Sequence, residues 1–446
     1  MITYRHAVEP KQSGACTWRP SRSGREAVAH GGEDGADWPG PNRAARPEIE
    51  QGMGADEKRG TPSIYSRSVD QNVVDMTGAS MRGLLRGAVV MAPMTKGSNL
   101  PYRRLCAELG ARVLMSEMVV ARRLKQRRRG EFALIRRAPD EPCFGVQLAG
   151  NQPDEMAWAA ALVESRGADF IDLNLGCPID HFTRKGLGAA LARQPRRVAR
   201  VVGAMRSATG IPVTVKLRLG WNATTRNYLE VARAAVDAGA SSITVHGRTR
   251  EARYRHAADW DAIAEVAAAV PVPVVGNGDL LWPHEIEDRM RSSGCAGVMI
   301  ARGALIKPWI FREVGGPNPG APSVHWDISA EERVAIYRRY VQLAREHWSQ
   351  SRGELDDYGR ERLRDFLRWH VGFWCRYVPR HGDGTWPSMQ HREQLIEPRS
   401  DLEALLARTD DAALDYVTDE LLADGDFSTP PPASLTAPDQ DLVEAG

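Results

Sequence analysis

The chain has 446 residues, which is too long for one ordinary hydrophobic core and fits two domains with tails. Its 59 Lys and Arg residues nearly balance 57 Asp and Glu residues, so a net charge of +2 excludes a general basic coat for nucleic acid. No apolar run reaches the roughly 18 residues of a membrane span, and no signal-peptide segment opens the chain. We therefore expect a cytoplasmic protein without a membrane partner.

The six cysteines argue against a disulfide scaffold and against a zinc site. They form no C-x2-C pair and no Cys/His cluster with the spacing of metal ligands. We expect no bound metal, and each cysteine has to be judged by its own surroundings.

Residues 1–80 are rich in Gly, Pro, Ser, Arg and Glu and show no sustained apolar periodicity. This composition predicts a disordered tail. A translation start at Met76 or Met81 is the alternative that the sequence leaves open.

Eight short apolar or β-branched runs follow, each succeeded by a stretch with helical spacing. They lie at 88–94, 112–118, 144–150, 170–176, 213–220, 242–248, 272–279 and 297–303. This alternation predicts parallel strands with crossover helices, and eight units match a (β/α)8 TIM barrel over 81–318. The rival, an open doubly wound sheet, would have a glycine fingerprint after its first strand, which is absent after 88–94.

A separate all-α domain is predicted over 326–424, with helices at 328–348, 360–377 and 401–422. Ser329 and Glu332 have the spacing of a capping box at the start of the first helix. Residues 425–446 form a Pro-rich, acidic segment that predicts a disordered tail.

The predicted strand ends carry polar residues where a barrel places its chemistry. Glycine-rich turns after strands seven and eight, together with Arg302, favour a phosphate site. Lys216 lies within an apolar strand, where it can meet an anion, form a Schiff base or face solvent at the rim. Gln147 can bind a ring carbonyl or barrel backbone, and His246 can be a structural hydrogen bonder.

Cys177 stands apart from the other cysteines because it lies in a Gly-Cys-Pro turn before the loop 184–188. Basic neighbours in that loop favour a thiolate, and a thiol there can donate or receive a proton. Cys106, Cys143, Cys295 and Cys375 are expected to be buried in the core.

Three arginines recur along one face of the second predicted helix of the all-α domain: Arg360, Arg364 and Arg368. Aromatic residues follow them. Such a face either binds RNA phosphates and bases or is a solvated surface over an aromatic core.

The ordered segments MAPMTKGSNLPYRRLC, FGVQLAG, DFIDLNLGCPID, RKGLGAAL, PVTVKLRLGW, ITVHGRTREARY, VVGNGD and GVMIARGALIKPWIF resemble those of the tRNA-dihydrouridine synthases. The resemblance covers about 88–311. HWDISAEER, RLRDFLRWH and CRYVP extend it to about 424 and are similar to the dihydrouridine synthase 3-like branch.

The resemblance implies an FMN-binding barrel and a helical tRNA-binding domain in a monomeric enzyme that reduces a tRNA uridine to 5,6-dihydrouridine with NADPH or NADH. Cys177 would be the proton donor. The implied cofactor-binding residues are Ala92, Pro93, Met94, Gln147, Lys216, His246, Asn277, Gly278, Asp279, Ala301 and Arg302. The expected substrate-binding residues are Asn174, Lys185, Arg218, Arg248, Arg360, Arg364 and Arg368.

Three features depart from that family's pattern. Cys16 is the only cysteine before the barrel, so the zinc-finger elements of eukaryotic members of the branch are not expected. Ala252 replaces the glutamine of an Arg-Glu-Gln-Arg-Tyr run, and Leu187 replaces a smaller residue in the loop after Cys177.

Two other functions remain open at this stage. One is an FMN barrel that acts on a free metabolite, such as a dihydroorotate or dihydropyrimidine oxidoreductase. The other is a tRNA-binding protein that has lost its chemistry.

Overall fold

The computed structural model describes residues 78–315, 323–349, 355–389 and 397–432. Of the tail predicted at 1–80, residues 1–77 lie outside the described residues. Of the tail predicted at 425–446, residues 433–446 lie outside them. Helix α1 begins at Gly78, just before the predicted boundary of the barrel. From there the described residues form one compact unit.

The strands form a barrel of parallel strands with alternating helices. They are β1 Ala88–Met91, β2 Leu114–Met115, β3 Val119–Val120, β4 Phe144–Ala149, β5 Phe170–Leu175, β6 Val213–Arg218, β7 Ser242–His246, β8 Val274–Asn277 and β9 Gly297–Ile300. The apolar side chains of these strands are buried on both faces of the sheet, as a sheet covered by helices requires. The eight predicted strand positions are confirmed.

The second strand of the barrel is split, and it also closes the ring. Both β2 and β3 pair with β4, while β1 pairs with β9 at the far end of the sheet order. Val90 forms a parallel bridge to Val113, and the Met91 N–H donates to the Val113 carbonyl at 2.9 Å. The sheet therefore curls into a barrel, and the open doubly wound alternative is wrong.

Helices of the barrel follow the strands along the chain. They are α1 Gly78–Leu85, α2 Leu100–Glu108, α3 Ala121–Lys125, α4 Arg129–Leu134, α5 Pro153–Ser165, α6 Asp180–Thr183, α7 Pro195–Ser207, α8 Tyr228–Asp237, α9 Trp260–Ala269, α10 Pro283–Ser293, α11 Arg302–Ile306 and α12 Ile310–Glu313. A 3-10 helix, Gly188–Arg193, lies between α6 and α7. Helix α7 shows the general rule, because Val198, Val201 and Met205 form a buried apolar stripe.

The carboxyl-terminal region is helical, as predicted. Its helices are α13 Ala330–Trp348, α14 Asp357–Trp374, α15 Asp401–Leu406 and α16 Asp411–Ala423. The capping box is present, since Ser329 Oγ accepts from Glu332 N–H at 3.1 Å and Glu332 Oε2 accepts from Ser329 N–H at 2.8 Å. The single helix predicted at 401–422 is wrong. Asp410 caps α16 by accepting from Ala413 N–H at 3.1 Å, which starts a second helix after α15.

The aromatic residues of α14 belong to a core between the helices and the barrel. Tyr337 and Trp374 stack at 4.0 Å between ring centroids, and His370 stacks on Tyr102 of α2 at 4.1 Å. Asn99, which caps α2, lies 3.1 Å through Nδ2 from His370 Nε2. These rings are therefore packed within the protein, in agreement with the aromatic-core alternative. No described helix has both the length and the apolar character that a membrane span requires.

A buried ion pair fixes α2 against the loop before β4. Arg103 Nε lies 2.6 Å from Glu141 Oε1, with side chains 2% and 0% exposed. Arg103 also donates to the Ser98 carbonyl at 2.9 Å, at the end of the loop that follows β1.

We predict that Glu141→Gln lowers the free energy of unfolding by about 3–5 kcal/mol, because it leaves the Arg103 charge buried without a counter-charge. The matched control is Asp288→Asn, which breaks the exposed pair with Arg291 and should cost less than about 1 kcal/mol. Chemical denaturation of both variants measures the difference, and equal costs would contradict the prediction.

Candidate active site

A cleft of about 990 Å³, counting its open mouth, lies at the carboxyl ends of the barrel strands. Its walls contain most of the residues singled out in the sequence. They are Ala92, Pro93, Met94, Gln147, Asn174, Cys177, Lys216, Arg218, His246, Arg248, Asn277, Gly278, Asp279, Ala301 and Arg302. The strand order brings them together from positions more than 200 residues apart.

A chain of hydrogen bonds runs from the barrel interior to the cysteine turn. Gln147 Nε2 donates to Asp172 Oδ2 at 2.8 Å, and Asn174 Nδ2 donates to Gln147 Oε1 at 2.7 Å. Asn174 Oδ1 in turn accepts from the N–H of Cys177 at 2.9 Å. These contacts orient both amides and hold the start of the cysteine turn in place.

Asp172 ends this chain and was missed by the sequence reasoning. Its other oxygen accepts from Thr214 Oγ1 at 2.7 Å, and burial raises its pKa to about 6. The available signal was a carboxylate in the middle of the apolar strand at 170–176. A folded protein tolerates a buried carboxylate only when it is hydrogen-bonded or paired with a charge.

Lys216 enters the cleft from β6. Burial and the neighbouring Arg218 charge lower the pKa of its ammonium to about 8, against the opposing effect of Asp172. Its side chain lines the cleft beside Asn174, with which it is in register on β5. The solvent-facing alternative for this lysine is wrong, and the ammonium is placed to meet an acceptor inside the cleft.

Cys177 is held in a turn with a fixed backbone. Its carbonyl accepts from Ala189 N–H at 3.1 Å. Gly188 has φ +57°, and a Cβ there would lie 2.8 Å from the same carbonyl, so glycine is required. The side chain reaches the cleft and is half-buried.

The expected thiolate at Cys177 is not supported. Burial raises the pKa of the thiol and outweighs the opposing effects of the Ile179 backbone hydrogen bond and of the Arg218 and Lys216 charges. The sulfur therefore stays protonated at neutral pH, which suits a proton donor better than a nucleophile.

The opposite end of the cleft is basic. Arg248 Nη2 donates to both oxygens of Asp279 at 2.7 and 2.5 Å, and Arg302 Nη2 lies 3.2 Å from Asp279 Oδ1. Asp279 thus orients two guanidinium groups, and two positive charges face one negative charge. Gly278 has φ +145°, and a Cβ there would lie 2.4 Å from the Ala258 Cβ, so this turn also requires glycine.

His246 lies between the basic end and Lys216. Burial and the surrounding charges of Arg218, Lys216, Arg248 and Arg302 hold its pKa well below the usual range. The imidazole is therefore neutral and serves as a hydrogen-bonding group rather than as a cation.

Two of the expected substrate-binding arginines line the cleft but are bonded to the protein. Arg218 donates to the Gly176 carbonyl at 2.9 Å and to the Thr249 carbonyl at 3.1 Å. Arg248 pairs with Asp279, as described above. Both groups thereby support the turns that carry Cys177 and the basic end.

Four other expected substrate-binding residues lie away from the cleft. Lys185 is exposed in the loop after Cys177, with Nζ 3.0 Å from His181 Nε2. Arg360 pairs with Asp357, while Arg364 and Arg368 bind the carboxylates of α16 (Asp411, Asp415 and Asp419). The arginine face of α14 is therefore neutralised by acidic partners.

Among the lining residues to which the sequence analysis gave no role are Met118, Tyr254 and Met389. The Arg302 guanidinium lies 3.9 Å from the Tyr254 ring centroid, so this ring supports the basic end. Met389 comes from the segment after α14 and brings the carboxyl-terminal region to the cleft. An apolar or aromatic side chain in a loop has no spacing pattern that would mark it in the sequence as part of a site.

Comparison with known proteins decides the family. The profile described as "Dihydrouridine synthase (Dus)" matches residues 90–362, more than half of the chain. The chain belongs to the dihydrouridine synthase family. The match begins in β1 and runs through the barrel into α14, so it includes every element that lines the cleft except the segment of Met389.

Curated relatives carry names from the same family. The chain is 40% identical over 313 residues to the human "tRNA-dihydrouridine(47) synthase [NAD(P)(+)]-like", covering 70% of this chain and 46% of that protein. It is 39% identical to the protein of that name from Oryza sativa subsp. japonica, over 74% and 47% of the two chains. It is 38% identical to the Coprinopsis cinerea "tRNA-dihydrouridine(47) synthase [NAD(P)(+)]", over 73% and 49%. The chain spans about half the length of these relatives.

The described residues contain no group of three or more His, Cys, Asp or Glu side chains arranged to hold a metal ion. The polar side chains of the cleft include the amides of Gln147 and Asn174, the carboxylate of Asp279, the imidazole of His246, the thiol of Cys177 and several cations.

We predict that Cys177 is alkylated slowly at neutral pH and that its rate rises only above the pKa of an ordinary thiol, because the reactive species is the thiolate. Iodoacetamide modification across pH, followed by peptide mass spectrometry, measures this. Glutathione in the same buffers gives the reference titration, and Cys177→Ser identifies the peptide. A midpoint below that of glutathione would contradict the prediction.

Proposed function

We propose that this chain is an FMN-dependent tRNA-dihydrouridine synthase that reduces the C5–C6 double bond of a uridine in tRNA with NADPH or NADH. The observation that carries the proposal is the cleft itself, in which a protonated Cys177 and the ammonium of Lys216 face a shared space with a basic end. The printed names of the relatives support both the tRNA substrate and the nicotinamide reductant.

The residues present fit FMN. Lys216 lines the cleft from β6 and Gln147 lines it from β4, with β5 between these two strands. The basic end has an excess of positive charge for a phosphate, from Arg248 and Arg302 around Asp279.

The residues that would hold the cofactor fall into three groups. Ala92, Pro93 and Met94 would line its ring, Gln147, Lys216 and His246 would bind ring heteroatoms, and Asn277, Gly278, Asp279, Ala301 and Arg302 would surround its phosphate. Asp279 would act through its backbone and by orienting the arginines, since its carboxylate is engaged by both guanidinium groups. When bound, reduced FMN supplies the hydride that is added at C6 of the uracil ring.

Cys177 donates the proton that C5 of the uracil receives. Its raised pKa keeps the proton on sulfur until substrate is present, and the turn held by Asn174 and Gly188 fixes the sulfur at the cleft wall. Asn174 would also contact the target base. Lys216 places positive charge where negative charge develops, in a buried position where such a charge is effective.

The substrate has to enter the cleft as an unstacked base. A base within a stacked loop cannot reach a cleft enclosed by barrel loops, so the target uridine is turned out of its stack before reduction. Met389 at the rim indicates that the carboxyl-terminal region takes part in forming the entrance.

The decisive experiment is deletion of the gene in its host, followed by position-by-position mass spectrometry of dihydrouridine in purified tRNAs. We expect loss at one position, restored by the wild-type gene and not by Cys177→Ala. A general acid contributes about 10²–10⁴-fold, so the variant should form little product in a timed assay. It should retain bound flavin, because Cys177 is not among the residues assigned to hold the cofactor.

Three outcomes would overturn the proposal or its catalytic assignment. An unchanged dihydrouridine map in a host without a redundant enzyme would favour the flavin oxidoreductase that acts on a free metabolite. Wild-type product formation by Cys177→Ala would remove the role of this cysteine and leave the activity in place. A purified protein without flavin colour would favour a tRNA-binding protein without chemistry.

A further inference from the structure

The strongest local excess of positive charge in the described residues lies beside the cleft and has no part in the site described so far. Helix α3, the turn after it and the start of α4 carry six exposed basic residues, which we name the basic turn: Arg122, Arg123, Lys125, Arg127, Arg128 and Arg129. The whole chain has a net charge of only +2, so the other residues together are net negative.

Acidic side chains do not neutralise the basic turn. The buried Glu131 is the one carboxylate at ion-pair distance among the described residues, and it pairs with Arg123 at 3.3 Å. Its second oxygen accepts from the Val120 N–H at 2.8 Å, so this carboxylate also anchors the end of β3. The other five cations of the basic turn face solvent, in contrast to the arginines of α14, which are held by the aspartates of α16.

The basic turn lies at the rim of the cleft. Met118 lines the cleft, and α3 begins directly after β3, whose Val120 is in register with Ala149 at the end of β4. A Cβ on Gly150 would lie 3.4 Å from that of Ala121, which shows how closely α3 approaches this strand end. The next residue, Asn151, donates to the carbonyls of Lys185 and Gly186 at 2.9 and 3.2 Å, in the loop that follows Cys177.

The backbone of the basic turn is ordered and strained. The Arg127 N–H donates to the Leu124 carbonyl at 2.8 Å, and the Arg128 N–H donates to the Arg123 carbonyl at 3.1 Å. Arg127 has φ +56°, in the left-handed region that favours glycine. An arginine at such a position is disfavoured by the fold and points to a role for its side chain outside the fold.

On this basis, and resting on the proposed function, we propose that the basic turn binds the tRNA phosphate backbone next to the uridine that enters the cleft. A row of solvated guanidinium groups on a fixed turn matches the spaced charges of a nucleic-acid strand and requires no base sequence. The arginines of α14 are not the main RNA contact, because RNA would first have to displace their carboxylate partners.

The first test removes three charges by Arg122→Gln, Arg128→Gln and Arg129→Gln in one protein. The matched control removes three exposed arginines far from the cleft: Arg86, which precedes β1, and Arg200 and Arg233 on outer helices. Both proteins have the same net charge. Affinity of the flavin-loaded enzymes for unmodified tRNA is measured across salt concentrations, with flavin reduction by NADPH as the readout that needs no RNA.

We expect the basic-turn variant to bind tRNA about tenfold more weakly at low salt. The slope of log affinity against log salt should be less steep than that of wild type by about 2–3. The control should bind as wild type does, and flavin reduction should be unchanged in both. Equal binding by the two variants would overturn the proposal and leave the synthase assignment intact. Absence of tRNA binding by the wild-type enzyme would instead overturn the proposed function.

A second test separates charge from folding. Arg127→Gly removes one cation and relieves the left-handed backbone, so the melting temperature should equal or exceed that of wild type. The tRNA affinity should fall a few-fold, with the salt slope smaller by about 1. Unchanged affinity in this stable variant would show that the Arg127 side chain does not contact RNA and would contradict the proposal.

Discussion

Closure of the barrel is the constraint on which the rest of the structure depends. The ring of parallel pairing between β1 and β9 is completed at one narrow place, where Val90 bridges Val113. Once the ring is closed, all strands point their carboxyl ends to the same rim, and residues of distant sequence become neighbours. The buried pair of Arg103 and Glu141 stabilises this region from outside by fixing α2 and the chain before β4.

Burial then controls the chemistry of the groups at that rim. It raises the pKa of Asp172 and of Cys177 and lowers the pKa of Lys216 and of His246. The result is a cleft with a protonated thiol, a neutral imidazole and an ammonium whose charge is easily stabilised by a bound acceptor. A general acid and an electrostatic stabiliser can thus work side by side at neutral pH.

The fold and the cleft were largely readable from the sequence because both depend on local patterns. Apolar runs located the strands, and polar residues at their ends located Gln147, Lys216 and Cys177. The charge state of Cys177 was not readable, since it depends on burial that only the folded turn creates. The role of α14 was not readable either, because the carboxylates that bind Arg364 and Arg368 come from a helix some 50 residues later. The basic turn was overlooked because a run of charges has no strand or helix period of its own.

The break between β2 and β3 has a consequence for how such an enzyme can diversify. The interruption leaves only short pieces of strand pairing, and the chain resumes as α3 directly beside the cleft. A hydrogen bond secures the barrel behind this break, where the Gln147 N–H donates to Ser116 Oγ at 3.0 Å. Substitutions on the outer surface of α3 therefore leave the residues that line the cleft in place. The charge of this short segment can therefore vary while the barrel strands and the hydrogen bond that holds Gln147 stay the same.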